Sequence, residues 1–164
     1  MSGKQWAGIA SDYTGRYLVA VASGRQVNIF QPAIYGGIWT SSDSGITWSQ
    51  QTSNTDTKRY YSVASSRDGS HLIVGSDSGY YISTNSGLTW TNNNSFSPNC
   101  VASSADGNVL LAGVSGGYAY LSTNGGLTWT AQNSPLGSQY WYGVSMSADG
   151  RVLAATAWLS LIHI

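Results

Sequence analysis

Seven Asp and no Glu are the only side-chain carboxylates in this chain. The chemistry such groups most readily perform in pairs is glycoside hydrolysis, where two carboxyls face each other across a cleft. Their positions argue against it. Asp68, Asp106 and Asp149 each precede a Gly in a recurring turn, and Asp12 and Asp43 belong to repeated motifs. Only Asp56 and Asp77 fall in loops outside the repeats, and Asp77 begins an Asp-Ser-Gly hairpin turn, where capping is the commoner role. No catalytic residue is expected. Cys100, the single cysteine, heads the apolar run Cys100-Val101-Ala102 and reads as a small hydrophobe. His71 has no clustered partner and reads as structural, and Asn93-Asn94-Ser95 is a glycosylation sequon that matters only in a secreted protein.

The elements that position these residues are repeats. The octet SSDSGITW at 41–48 returns as STNSGLTW at 83–90 and STNGGLTW at 122–129, with starts 42 and 39 residues apart. A second motif keeps step: IASDYTG at 9–15, VASSRDG at 63–69, VASSADG at 101–107 and VSMSADG at 144–150. Within one repeat, turn residues separate four short strands at 62–66, 71–76, 80–84 and 88–93. Four antiparallel strands in about 40 residues, recurring with the same turn chemistry, predict blades of a β-propeller. The expected fold is all-β: a partial propeller spanning 1–158 in an open arc, with blades at 5–53, 60–94, 99–133 and 142–158, the last lacking its third and fourth strands.

The octets resemble the Asp-box of the sialidase-type and BNR-repeat propellers, a superfamily that includes sortilin-like receptors, xyloglucanases and photosystem II assembly factors. The resemblance implies a structural turn between the third and fourth strands of each blade. It involves Ser41, Asp43, Gly45, Thr47 and Trp48, then Ser83, Asn85, Gly87, Thr89 and Trp90, then Ser122, Asn124, Gly126, Thr128 and Trp129. The third residue can accept backbone N–H bonds, the Gly can take a left-handed conformation, and the indole can wedge between sheets at a truncation cost of ~3–5 kcal/mol. Two of three octets carry Asn where a calcium loop needs charge, so neither metal nor cofactor is expected.

Composition narrows the partners. Charged residues make up 9% of the chain against roughly 25% in an average domain. Seven basic and seven acidic residues cancel without a basic run, which argues against nucleic acid. No stretch approaches the length of a membrane span. The compartment stays open, with the composition leaning towards a secreted or extracytoplasmic protein. The last six residues, LSLIHI at 159–164, read as the translation of a library-preparation adapter and are expected to be foreign to the protein.

Because strands alternate in direction, the octets and Asp-Gly turns share one face of the arc and the remaining loops share the other. On that loop face the first blade carries an insertion of about a dozen residues near 24–35, with Arg25, Phe30 and Tyr35, and loops on a rigid scaffold are where binding evolves. Trp6, Tyr60, Tyr61, Trp141 and Tyr142 precede the innermost strands, and Arg59 stands beside them as a candidate anion clamp. These rings could meet a protein or carbohydrate partner, or could pack between neighbouring blades as filler. The function expected is a non-catalytic scaffold presenting its loop face. The alternative is a fragment of a sialidase- or xyloglucanase-like hydrolase whose catalytic residues lie in further blades. The sequence lacks the Glu and the Arg-Ile-Pro motif of sialidases, and the basic patch of an assembly factor.

Overall fold

The computed structural model describes residues 4–24, 36–52, 56–132, 137–157 and 160–163, the last segment by its backbone. Its strands fall into four antiparallel sheets in chain order. The first holds β1 (Gln5–Ser11), β2 (Leu18–Ser23), β3 (Gly37–Ser41) and β4 (Ser49–Gln50). The second holds β5 (Tyr60–Ser65), β6 (Leu72–Ser76), β7 (Gly79–Ser83) and β8 (Thr91–Asn93). The third holds β9 (Cys100–Ser103), β10 (Leu110–Gly113), β11 (Ala119–Ser122) and β12 (Thr130–Gln132). The fourth holds β13 (Trp141–Met146), β14 (Leu153–Ala157) and β15 (Ser160–His163). Each sheet packs on the next, the first strands β1, β5, β9 and β13 lie side by side, and the arc does not close. This is a partial β-propeller.

Sequence repetition becomes register repetition. Ser11 pairs with Leu18, Ser65 with Leu72, Ser103 with Leu110 and Met146 with Leu153. Alternation along each strand then sends one set of side chains backwards and the other forwards. Val63, Leu72, Val74 and Tyr81 of the second sheet meet Val19, Val21 and Ile38 of the first. Val101, Leu110 and Ala112 of the third meet Ile73 of the second, with Ala64 and Ile82 at the margin. Leu153, Ala155 and Ala157 of the fourth meet Cys100, Ala102 and Leu111 of the third. Cys100 is buried, and burial pushes its thiol up to about 11, as befits a small apolar filler.

The octets close the turns between third and fourth strands. Ser83 Oγ accepts the Gly87 N–H at 2.9 Å and donates to Asn85 Oδ1 at 2.9 Å, which accepts the Thr89 N–H at 2.9 Å. Asp43 makes the same contacts with Ser41 and Thr47. The two residue types differ in one bond: Asn85 Nδ2 donates to Thr89 Oγ1, whereas Thr47 Oγ1 donates to Asp43 Oδ2. A threonine hydroxyl can do either, which is why Asp and Asn interchange here. Asn124 repeats the Asn pattern.

Each indole folds back on its own turn. Trp48 Nε1 donates to the Gly45 carbonyl, Trp90 to Gly87 and Trp129 to Gly126, at 3.0, 3.0 and 3.1 Å. The rings are half-buried and not fully wedged as the sequence suggested. Trp90 packs on the core between the first and second sheets, Trp129 on that between the second and third, and Trp48 faces the uncovered side of the first sheet. Gly126 sits so close to the preceding sheet that a Cβ would lie 2.1 Å from Ile82 Cδ1, at a φ of +86°. The third strand-turn also runs longer than expected: Leu88 is exposed in the turn and β8 begins only at Thr91.

A hydrogen-bond relay links the sheets near the axis. Tyr13 N–H donates to the Arg67 carbonyl, Arg67 to Ala105 and Ala105 to Ala148, each at 2.8 Å. All four residues occupy the turn between first and second strands. In three blades that turn is fastened by a Ser–Asp pair, Ser66–Asp68, Ser104–Asp106 and Ser147–Asp149. In the first blade the roles are exchanged: Asp12 takes the serine position and accepts from Thr14, which takes the aspartate position. The fourth sheet has three strands where two were expected, because residues 160–163 pair with β14.

The seams make a stability prediction. Trp90→Ala, which removes a half-buried ring between two sheets, should cost about 2 kcal/mol in urea unfolding, below the full-burial range. Trp48→Ala, which faces no sheet among the described residues, should cost this chain less than half as much.

Candidate functional site

The loop face gathers around the segment that joins the first two blades. Asp56 is buried, and its Oδ2 accepts the Tyr60 hydroxyl at 2.6 Å while Oδ1 accepts the Lys58 N–H at 3.0 Å. Lys58 Nζ lies 3.6 Å from the same Oδ1. Burial opposes the Lys58 ammonium, but the Asp56 carboxylate and the Tyr81 phenol together outweigh it and the lysine's pKa rises. Burial pushes the Tyr60 phenol upwards too, reinforced by its bond to Asp56, so it stays neutral. Tyr60 rests on Tyr81 with ring centroids 5.8 Å apart.

The same segment clamps the base of the first-blade insertion. Gly24 N–H donates to the Lys58 carbonyl and Gly36 N–H to that of Asp56, both at 2.7 Å. The strands approach so closely that a Cβ on Gly36 would lie 2.5 Å from the Ala22 carbonyl oxygen, so only glycine fits. Arg25, Phe30 and Tyr35 lie outside the described residues.

The remaining aromatics separate into two groups. Tyr60 and Trp141 are fully buried between sheets, and Trp141 Nε1 donates to the Gly117 carbonyl at 3.0 Å, so neither is available to a ligand. Of the two roles the sequence leaves open for them, they take that of filler between blades and not that of binding residues: the position one step before the first-strand bulge points into the seam. Trp6 holds the same position, where it makes an edge contact with Trp39 and stays half exposed on the side of the first sheet, away from the loop face. Tyr61 is half-buried, and Tyr142, in the bulge, is 62% exposed. Arg59 is exposed, while its backbone is bonded to Asp77 in both directions, N–H to Oδ1 at 3.2 Å and carbonyl from the Asp77 N–H at 3.0 Å. Asp77 thereby fastens the Arg59 segment and does not cap its own hairpin turn, which Ser76 Oγ holds by donating to the Gly79 carbonyl and accepting the Ser78 N–H.

Two tyrosines that sequence reasoning does not single out join Tyr142. Tyr118 and Tyr140 are exposed on the loops of the third and fourth blades. These loops are fastened to each other: Gly116 N–H donates to the Gln139 carbonyl at 3.0 Å, Gln139 N–H to Gly117 at 2.9 Å, and Ser138 Oγ to Gly116 at 2.7 Å. Two mutually bonded loops bearing Tyr118 and Tyr140, with Tyr142 beside them in the β13 bulge, form a surface suited to docking, since Tyr offers large contact area at low entropic cost. The recurrence of Tyr at 118, 140 and 142 is visible in the sequence, but 118 and 140 fall outside the repeated motifs and nothing in the repeat marks them.

No carboxylate pair is free for acid–base work among the described residues. Asp68 is held down to about 2 by the Ser66 and Ser70 hydroxyls and the Ser70 amide, and turn bonds lower Asp43, Asp106 and Asp149 too. Among the described residues no cluster of three His, Cys, Asp or Glu side chains comes together.

No protein-family model matches the chain, and no curated protein sequence does. Solved structures do. A structure described as YCF48 bound to D1 peptide superposes with a TM-score of 0.62 at 14% identity, over 98% of this chain and 54% of that one. An ancestral GH74 enzyme gives 0.73 at 20% identity, over 96% of this chain and 24% of that one. A nidogen/laminin complex gives 0.64 at 12% identity, over 98% of this chain and 76% of that one. The likeness is one of fold, and the chain spans about half of the YCF48 chain and a quarter of the GH74 chain.

Asp56→Ala would strand the buried Tyr60 hydroxyl and unclamp Lys58. It should cost about 1–3 kcal/mol in urea unfolding, and Tyr60→Phe made on top of it should recover part of that loss, because the orphaned hydroxyl is then gone.

Proposed function

We propose that this chain is a non-catalytic propeller scaffold whose loop face binds a peptide or protein segment. The observation that carries the reading is the trio of exposed tyrosines, Tyr118 and Tyr140 on loops bonded to one another and Tyr142 in the adjoining bulge of β13. Asp12, Asp43, Asp68, Asp106 and Asp149 are each occupied by their own turns and Asp77 by the Arg59 N–H, which favours recognition over chemistry as the work of these blades. The propellers that resemble this one support a polypeptide partner: one is described with D1 peptide and another as a nidogen/laminin complex. The hydroxyl and amide geometry of the octets supports reading them as Asp-boxes, and hence as structure.

A second reading draws on the similarity to GH74 enzymes: the chain would be one part of a hydrolase whose carboxylates lie on other blades. Carbohydrate would then be the ligand of the same face.

Selection from a displayed peptide library, run beside a glycan array, tests the first reading. Peptides should be recovered whose binding falls at least about tenfold in Tyr140→Ala/Tyr142→Ala and is unchanged in Tyr13→Ala, on the opposite face. Glycan binding with no peptide binding, or peptides indifferent to the tyrosine pair, would overturn it.

A further inference from the structure

Around the octets runs a further repeat that the turns do not require. Counted from the start of each octet, Ser42, Thr47, Ser49 and Gln51 of the first blade match Thr84, Thr89, Thr91 and Asn93 of the second. Each set lines one wall of a groove at the outer rim, where the fourth strand of a blade stands beside the octet of the next. The octet is held there by its glycine: a Cβ on Gly87 would lie 2.6 Å from Thr40 Cγ2, as one on Gly126 would crowd Ile82. The octet wall of the first groove carries Leu88 and that of the second Leu127, 77% and 84% exposed. The two grooves hold about 460 and 250 Å³, one between the first and second blades and one between the second and third.

Their lining is uncharged and able both to give and to take hydrogen bonds. No carboxylate, ammonium, guanidinium or imidazole lines either groove among the described residues. Thr47 Oγ1 gives its proton to Asp43 and keeps its lone pairs, whereas Thr89 Oγ1 accepts from Asn85 Nδ2 and keeps its own proton to give. Gln51 Nε2 donates to Thr40 at 2.7 Å and Asn93 Oδ1 accepts the Ser95 N–H at 3.0 Å, which leaves Oε1 of the one and Nδ2 of the other open. Ser49 and Thr91 are exposed, and their hydroxyls meet no partner among the described residues.

Backbone strain marks the same place. Ser44 and Ser86 hold a left-handed φ of +58° in the first two octets, and Gly125 holds +66° in the third. Glycine adopts that conformation freely, so a serine there keeps its hydroxyl at a cost in backbone energy. Ser86 lines the first groove.

A ligand for such a groove is neutral, rich in hydroxyls and apolar on one side. Paired donors and acceptors match hydroxyl groups, and the exposed leucine covers a face of C–H bonds. A peptide would find neither a charged partner nor the desolvated aromatic pocket in which peptide anchors are held. We infer that these two rim grooves are binding sites for a neutral saccharide, separate from the loop face.

A printed array of neutral and acidic glycans tests this on the full chain, followed by titration calorimetry with the strongest neutral oligosaccharide, with circular dichroism confirming that each variant folds. Neutral glycans should bind, with two sites per chain. Ser49→Arg fills the first groove and Thr91→Arg the second, so each should remove one site, and the double variant should lose at least about tenfold in apparent affinity on the array. Ser86→Gly should melt no lower than wild type and still weaken the first site, which a merely structural serine would not do. Tyr140→Ala/Tyr142→Ala should leave glycan binding unchanged. No neutral glycan bound, binding confined to acidic glycans, or binding lost with the tyrosine pair and kept in Ser49→Arg/Thr91→Arg would overturn the inference, the last by placing the sugar on the loop face.

Discussion

The seam between adjacent sheets is the constraint on which the rest of this structure depends. No sheet here has a core of its own. A four-stranded antiparallel sheet this small cannot stand alone in water, and every buried aliphatic cluster is shared by two consecutive sheets. The strands must therefore keep one register through all four repeats, since a slip of one residue would send the Val63 series to the wrong face. The Ser–Asp turns and the octets hold that register at the two corners of each blade, and the axial relay sets how one blade meets the next.

Turn chemistry also limits what the protein can do. Carboxylates and amides that would be candidates for catalysis or metal binding spend their oxygens on serine and threonine hydroxyls and on backbone N–H groups. The loops on the opposite face carry their own fastenings, the clamp at Asp56, the Arg59–Asp77 bonds and the bonds between 116–117 and 138–139. There the exposed tyrosines of the third and fourth blades accumulate, Tyr118 and Tyr140 on loops that are bonded to each other and Tyr142 at the start of β13.

Much of this was legible in the residues. The octets, the Asp-Gly turns and their spacing led to blades, faces and strand order, because turn residues act locally and leave the same mark each time. Two things were not legible. Whether Trp6, Tyr60 and Trp141 faced a ligand or a seam turned on a bulge in the first strand, and a bulge depends on pairing with the neighbouring strand, which one strand's sequence does not display. Asp56 stands apart in the sequence only as a loop residue, because its partners Tyr60 and Lys58 are ordinary until the chain folds the loop over them. The exchange of Asp12 and Thr14 shows the converse: the same turn survives when carboxylate and hydroxyl trade places, so a motif read by letters understates a motif read by hydrogen bonds.

Native-state hydrogen exchange at the Arg67 and Ala105 amides tests the central claim most directly. These N–H groups lie in exposed turns, and only the carbonyl of the next blade protects them. If the seams hold the blades as one body, both should exchange as slowly as the central-strand amides of Val74 and Leu111. Exchange at the rate of an open loop, with the strand amides still protected, would show four sheets that fold without the seams and would contradict the account.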